Sequence, residues 1–197
     1  MYQKLYSKIT DALVNDGYIV IQEALKSKLS GELLDVAKHE KDFKRAGISS
    51  SFDLHIDSDR RRDKIHWLDA ESFAEGEFLS FSNGLREHLN RELYLGLSYY
   101  ESHFAIYDKG DFYETHLDAF KNSKNRVVTT VYYLNEAWNE SDGGELIIYD
   151  EENNSLAQVT PSANTLVVFL SEKFPHEVKP ANKKRYSIAG WFRVDKS

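Results

Sequence analysis

His116 and Asp118 stand two positions apart in the stretch Tyr113-Glu114-Thr115-His116-Leu117-Asp118. On a β-strand side chains alternate with period two, so an imidazole and a carboxylate at this spacing face the same way and can share one divalent metal. A second segment, Phe174-Pro175-His176-Glu177-Val178, offers another histidine in a strand-like setting. Two histidines and one carboxylate would make a three-ligand site. The chain has no cysteine. A metal would therefore have only nitrogen and oxygen donors, a set that favours iron over a structural zinc. By itself His-x-Asp is a common triplet, read equally well as a surface histidine followed by the first residue of a polar loop.

The company of this triplet gives it weight. Arg185 follows His176 by nine positions, in Arg185-Tyr186-Ser187-Ile188-Ala189-Gly190-Trp191-Phe192. On a strand, Arg185, Ser187, Ala189 and Trp191 would share one face, and Tyr186, Ile188 and Phe192 the other. The second face is bulky and apolar, as packing against helices requires. The first begins with a guanidinium and continues with two small side chains, which leaves room in front of it. An inward arginine needs an anion, because an unpaired charge in a core is costly. That face carries no acid, so a ligand carboxylate held by the planar fork is one partner, and a surface acid at the strand's end is the other. In Arg126–Leu134, Val127, Thr129, Val131 and Tyr133 alternate with Val128, Thr130, Tyr132 and Leu134. Tyr133 would project inward, and Tyr107 is a similar candidate on the strand before the metal motif.

Elements must hold these groups in place. Leu5, Ile9, Ala12 and Leu13 recur at helical spacing over Lys4–Val14, and Asn15-Asp16-Gly17 supplies a stop. Tyr18–Ile21 reads as a strand and Leu25–Lys44 as a second helix. Residues Ser49–Asp63 form a polar, charge-rich loop or exposed strand in which Phe52, Leu54 and Ile56 alternate. Lys64–Leu68 reads as a short strand and Ala74–Leu93 as a third helix. From Leu97 onward short strands and turns take over: Tyr99–Tyr107, a tight turn at Asp108-Lys109-Gly110-Asp111, and Phe112–Asp118 as the return strand. Ala119–Asn125 is a polar loop, and Asn139–Gly144 and Glu151–Ser155 are turns. Strands are expected at Arg126–Leu134, Glu145–Tyr149, Thr165–Leu170, Glu177–Val178 and Arg185–Arg193. Many short strands after a helical N-terminal part predict an α+β, mainly β fold: a double-stranded β-helix, or jelly roll, of about eight strands buttressed by helices. One domain over residues 1–197 is expected, with helical support over about 1–95 and the jelly-roll core over about 96–195.

With 41% hydrophobic and 29% charged residues and 13% aromatics, the composition is that of a globular protein with well-packed sheets. A net charge of -7 argues against a nucleic-acid binder, whose phosphate contacts need a basic face. Arg60-Arg61-Arg62 and Lys183-Lys184-Arg185 are the dense basic runs, most of each expected in solvated loops. The N-terminus lacks the apolar core of a signal peptide and no stretch approaches a membrane span, so a cytoplasmic location without membrane association is expected.

Taken in order, His116-x-Asp118, Arg126-Val127-Val128-Thr129-Thr130-Val131-Tyr132-Tyr133-Leu134-Asn135, Gly143-Gly144-Glu145-Leu146, Pro175-His176-Glu177-Val178 and Arg185-Tyr186-Ser187-Ile188-Ala189-Gly190-Trp191 resemble the iron(II)- and 2-oxoglutarate-dependent dioxygenases. Within them the set looks most like the prolyl hydroxylase domain branch, the oxygen-sensing type and its bacterial relatives. Arg62-Asp63-Lys64-Ile65-His66-Trp67 is similar to a segment just before the barrel of that branch. The resemblance covers roughly residues 60 to 195. It implies that His116, Asp118 and His176 bind Fe(II) and that Arg185 pairs with the distal carboxylate of 2-oxoglutarate. Tyr133 would hydrogen-bond the same end, Tyr107 and Trp191 would line the pocket, and Arg126, Asp63 and Trp67 would lie near the substrate entrance. Two departures are visible. The turn between Tyr107 and His116 is one residue shorter than in the animal enzymes, and Ala189 stands where those carry a hydroxyl residue.

The activity so implied is hydroxylation of a prolyl residue in a protein or peptide, with O2 as oxidant and 2-oxoglutarate decarboxylated to succinate and CO2. Ascorbate would be a supporting reductant. A translation factor such as elongation factor Tu is the substrate suggested by bacterial members of the branch. Asp118 favours hydroxylation over halogenation, for which related enzymes carry a small residue at this position. The alternatives are a hydroxylase of a free amino acid or small metabolite, and a cupin-like metal-binding protein that is not an oxygenase, for which His103 is the nearest extra ligand. A mobile entrance over Ser49–Asp63 would suit a macromolecular substrate.

Overall fold

The computed structural model describes residues 2–50, 53–55, 60–119 and 125–195. Its elements in chain order are α1 (Gln3–Asn15), β1 (Tyr18–Ile21), α2 (Leu29–His39), β2 (Lys44–Arg45), β3 (Ile48–Ser50), β4 (Asp53–His55), β5 (Lys64–Trp67) and α3 (Phe73–Leu93). They continue with β6 (Tyr99–Tyr107), β7 (Tyr113–His116), β8 (Arg126–Tyr133), β9 (Leu146–Tyr149), β10 (Ser155–Val159), β11 (Leu166–Leu170), β12 (His176–Val178) and β13 (Arg185–Arg193). A major sheet has the order β1-β11-β8-β13-β6-β5-β2, a minor sheet the order β10-β9-β12-β7, and β3 pairs with β4. From β6 to β13 successive strands alternate between the major and minor sheets, interrupted only by the β9–β10 hairpin. Every pairing between these strands is antiparallel. This is the expected jelly roll.

Alternation along the major strands builds two cores. Val128, Tyr132, Leu166, Val168, Ile188 and Phe192 point outward and meet the helices. Val131, Tyr133, Val167 and Phe169 point inward and meet Leu146, Ile148 and Val178 of the minor sheet. Helix α3 lays Phe78, Phe81, Leu85 and Leu89, at helical spacing, against the outer face. Burying each such side chain contributes about 1.5–3 kcal/mol, so packing more than intrinsic propensity holds the helix. Its start is fixed by a reciprocal capping box: Glu75 N–H donates to the Ser72 hydroxyl at 3.1 Å, and Ser72 N–H donates to the Glu75 carboxylate at 2.9 Å. No helix among the described residues is long and apolar enough to cross a membrane.

Three expectations change. The second helix is shorter than Leu25–Lys44 because Asn164 captures the backbone of Leu25, accepting from its N–H at 2.9 Å and donating to its carbonyl at 3.1 Å. At its other end the Glu40 carboxylate accepts from the N–H groups of Lys41 and Asp42, both at 2.7 Å, and Lys44–Arg45 pairs with β5. The return strand does not pair with β6, whose edges are taken by β13 and β5, and instead crosses to the minor sheet beside β12. Strand β10 is an addition at the edge of the minor sheet, where exposed Leu156 and Gln158 give little inward-facing pattern. Of the polar segments expected at Ser49–Asp63 and Ala119–Asn125, residues 51–52, 56–59 and 120–124 lie outside the described residues.

Candidate metal and anion site

The site lies between the two sheets. His116 ends β7 and His176 opens β12, and the two are register partners, which brings their rings to 4.3 Å between centroids. Asp118 lies two residues beyond the end of β7, yet is 4% exposed. His116 Nε2 is 3.7 Å from Asp118 Oδ1 and His176 Nε2 is 3.6 Å from Asp118 Oδ2. One ligand atom from each of the three lies within 4.8 Å of the others. His116 Nδ1 is 2.8 Å from the Glu114 carbonyl and His176 Nδ1 is 3.0 Å from the Phe174 carbonyl. A carbonyl only accepts, so each Nδ1 carries the proton and each Nε2 keeps its lone pair for a cation.

Electrostatics put Asp118 and His116 in the ligating state. Burial alone would raise the Asp118 carboxyl, but His176, His116 and Arg126 outweigh it and hold it at about 2. Burial and the neighbouring His176 lower His116 to about 3 against the opposing pull of Asp118. At neutral pH the site therefore presents a carboxylate beside a neutral imidazole.

Arg185 opens β13 and is 1% exposed. Its Nε donates to the Gly144 carbonyl at 2.9 Å and its Nη1 to the Ser187 hydroxyl at 3.2 Å. Among the described residues no carboxylate lies within ion-pair distance of it. Its Cζ sits 4.9 Å from the Tyr107 ring centre and 5.0 Å from that of Tyr133. Among the described residues no hydrogen bond of full geometry reaches the buried Tyr133 hydroxyl or the buried Trp191 indole N–H, although the Arg185 guanidinium lies beside the first and the Asp118 carboxylate beside the second. Burial raises the Tyr133 phenol to about 12, so it stays a donor. A cavity of ≈ 60 Å³ has both the triad and Arg185 in its wall, together with Tyr107, Leu146, Val178, Ser187, Ala189 and Trp191.

The alternation expected for β13 therefore holds, and Arg185, Ser187, Ala189 and Trp191 all face the cavity. Arg126 faces it too because a bulge shifts the β8–β13 register between Phe192 and Arg193. Its guanidinium lies 3.8 Å over the Trp191 ring, with Nη1 4.0 Å from Asp118 Oδ1 and Nη2 3.6 Å from Glu101 Oε1. Asp63 also lines the cavity but is consumed internally, accepting from Arg61 Nε at 2.6 Å and from Arg61 Nη2 at 3.0 Å. Tyr133 points inward beside Arg185, its ring centre 5.0 Å from Cζ, without forming part of the cavity wall, and Trp67 lies at the margin, 49% exposed and edge-on to His103 at 5.1 Å.

Sequence reasoning passed over Arg61, Tyr113 and Thr129, and considered His103 only as a spare metal ligand. Arg61 had a usable signal: Arg61 and Asp63 are two apart, on one side of an extended segment. Its burial comes from stacking 4.6 Å over Tyr113.

Two nitrogens and one oxygen on one side of a cavity, with a buried cation that meets no carboxylate among the described residues and a buried phenol beside it, suit a divalent metal together with an anionic chelating ligand. The class so defined is a jelly-roll protein with a mononuclear metal site. Comparison with known proteins sharpens it. Residues 102–193 match the family model of the 2OG-Fe(II) oxygenase superfamily. A Pseudomonas putida prolyl-4-hydroxylase structure is 35% identical, with 96% of this chain and 99% of that chain covered and a TM-score of 0.89. A Trichoplax adhaerens prolyl hydroxylase in complex with a hypoxia inducible factor peptide fragment is 28% identical, covers 96% of this chain and 89% of that one, and has a TM-score of 0.85. The Caenorhabditis elegans hypoxia-inducible factor prolyl hydroxylase is 32% identical over 85% of this chain and 22% of its own length. Human Egl nine homolog 1 is 35% identical over 68% of this chain and 33% of its own length. The chain thus spans about a fifth to a third of these two relatives. It belongs to the 2OG-Fe(II) oxygenase superfamily.

Proposed function

We propose that this chain is an Fe(II)- and 2-oxoglutarate-dependent dioxygenase that hydroxylates a prolyl residue in a protein or peptide. The observation that carries the reading is that one cavity has in its wall both a two-nitrogen, one-oxygen donor set and a buried guanidinium beside which, among the described residues, no carboxylate stands. His116, Asp118 and His176 would hold the metal. Arg185 would take the distal carboxylate of 2-oxoglutarate, and the Tyr133 hydroxyl would donate to the same end. When bound, Fe(II) and 2-oxoglutarate supply the O2-dependent oxidation that places one oxygen atom on the substrate and the other in succinate, with release of CO2.

The chain's own residues do the remaining work. Leu146, Val178 and the Tyr107 ring exclude water from the cosubstrate side, which strengthens the Arg185 interaction. Arg126, anchored on Trp191 and by Glu101, and Arg61, anchored by Asp63, line the cavity with fixed cations. Exposed Trp67 at the margin supplies an apolar surface for a substrate ring. Similarity to prolyl hydroxylases, one of them with a peptide fragment bound, supports a prolyl residue in a polypeptide as the target.

The test incubates the protein with Fe(II), 2-oxoglutarate and ascorbate, adding proline-bearing peptides, including segments of elongation factor Tu, or free proline in parallel. The expected result is one oxygen gained on a peptide prolyl residue, read by mass spectrometry. Oxygen gained only by free proline or another metabolite would contradict the polypeptide substrate.

A further inference from the structure

Asp118 is the metal-site candidate least supported by the sheet. β7 ends at His116, so no ladder hydrogen bond fixes the backbone of Asp118, yet its carboxylate is buried. A carboxylate in that position is held by whatever its oxygens touch. Asp118 Oδ2 accepts from the Thr129 hydroxyl at 2.8 Å, and Thr129 Oγ1 lies 2.8 Å from Ser171 Oγ. A threonine hydroxyl has one proton, and an ionised carboxylate can only accept. Thr129 therefore donates to Asp118, and Ser171 must donate to Thr129. The chain of bonds has a single direction, Ser171 to Thr129 to Asp118, and its members are 0%, 2% and 4% exposed.

The backbone of Ser171 serves the same end. Its N–H donates to the Val127 carbonyl at 3.0 Å, at the β8 bulge, and its carbonyl accepts from Ala119 N–H at 3.4 Å, next to Asp118. Thr129 belongs to the major sheet and Asp118 follows a strand of the minor sheet. The relay thus ties the one triad residue that lies off a strand to the rigid face opposite.

We propose that Thr129 and Ser171 are positioning residues for the metal, a buried hydroxyl relay that fixes the Asp118 carboxylate in one orientation and reserves a single oxygen for the cation. A carboxylate with one oxygen held by a hydroxyl is a one-oxygen ligand, which leaves coordination positions for a chelating cosubstrate and O2. The inference rests on the reading of His116, Asp118 and His176 as the metal site.

The experiment measures Mn(II) affinity calorimetrically on metal-stripped protein, without cosubstrate. Thr129→Val keeps the shape and deletes the hydroxyl, and it should weaken Mn(II) binding about 10- to 100-fold. Ser171→Ala leaves the Thr129 donor in place and should cost less, roughly 3- to 10-fold. Thr129→Ser restores the hydroxyl and should bind within about 3-fold of the parent. The relay is overturned if Thr129→Val binds as the parent does, or if Thr129→Ser is as weak as Thr129→Val, which would mark the methyl group and not the hydroxyl. Should circular dichroism show Thr129→Val unfolded, unchanged affinity in Ser171→Ala overturns the relay. A parent protein that binds no Mn(II) overturns the metal site and the relay together, whereas a binding parent with indifferent variants overturns the relay alone.

Discussion

At the scale of single residues, Arg185 shows burial and charge in open conflict. A guanidinium 1% exposed whose acceptors among the described residues are a carbonyl and hydroxyls, with no carboxylate, is an anion site in waiting. Arg185→Gln is expected to weaken 2-oxoglutarate binding about 10- to 100-fold, the worth of a charge-assisted bond of roughly 1.5–3 kcal/mol, while Mn(II) binding persists. Calorimetric titration of both ligands checks this, and loss of metal binding as well would contradict it. His103 carries a pH prediction. Burial and the nearby Arg61 lower it to about 4, so the fold keeps it neutral while the unfolded chain takes up a proton below about pH 6.5. Stability present at pH 7 is then lost as pH falls from about 6.5 to about 4, by on the order of 3 kcal/mol from this group. Urea denaturation of metal-free protein across that range should show the loss, and His103→Gln should flatten it. An unchanged slope in the variant would refute the assignment. Arg185 was legible in the sequence because β13 alternates with period two. The triad was legible only through the ordered motifs around it, since β7 ends at His116 and strand alternation does not place Asp118. Arg61 was not, since a run of three arginines looks like a solvated loop until Tyr113 and Asp63 fold over one of them.

At the scale of elements, the turn before β9 decides where Arg185 points. Gly143 has φ +66° and ψ -153°, a region only glycine occupies without strain, and a Cβ there would meet the Pro180 carbonyl oxygen at 2.6 Å. Its neighbour Gly144 offers the carbonyl that receives Arg185 Nε. Gly143→Ala should cost about 2–4 kcal/mol in urea denaturation and weaken 2-oxoglutarate binding with it. Gly110→Ala is the control: φ is +87° but nothing lies within 4 Å of the added Cβ, so about 1 kcal/mol is expected. Equal costs at the two positions would show that close approach to Pro180 does not matter. Most elements could be read from their pattern, including the full extents of β1, β6 and β13. The early end of α2 could not, because it is set by Asn164, far away in sequence, and neither could the partner of β7, because pairing depends on which edges β5 and β13 already occupy.

At the scale of the whole molecule, two sheets and a helical layer place a metal-donor set and an anion site on one cavity. The pattern of many short strands behind a helical N-terminal part was already enough to predict the jelly roll, and the ordered set of motifs narrowed it to a family. Ligand linkage follows from the arrangement: Mn(II) at about 100 times its dissociation constant should add about 2.7 kcal/mol of stability, and a chelator should remove it. The most direct measurement is conversion of 2-oxoglutarate to succinate by the purified protein with Fe(II), O2 and ascorbate, with prolyl peptide present, compared between the parent, His176→Ala and Arg185→Gln. The parent should form succinate in step with hydroxylated peptide, and both variants should fall to background. Absence of succinate from the parent under all of these conditions, or undiminished turnover in both variants, would contradict the account.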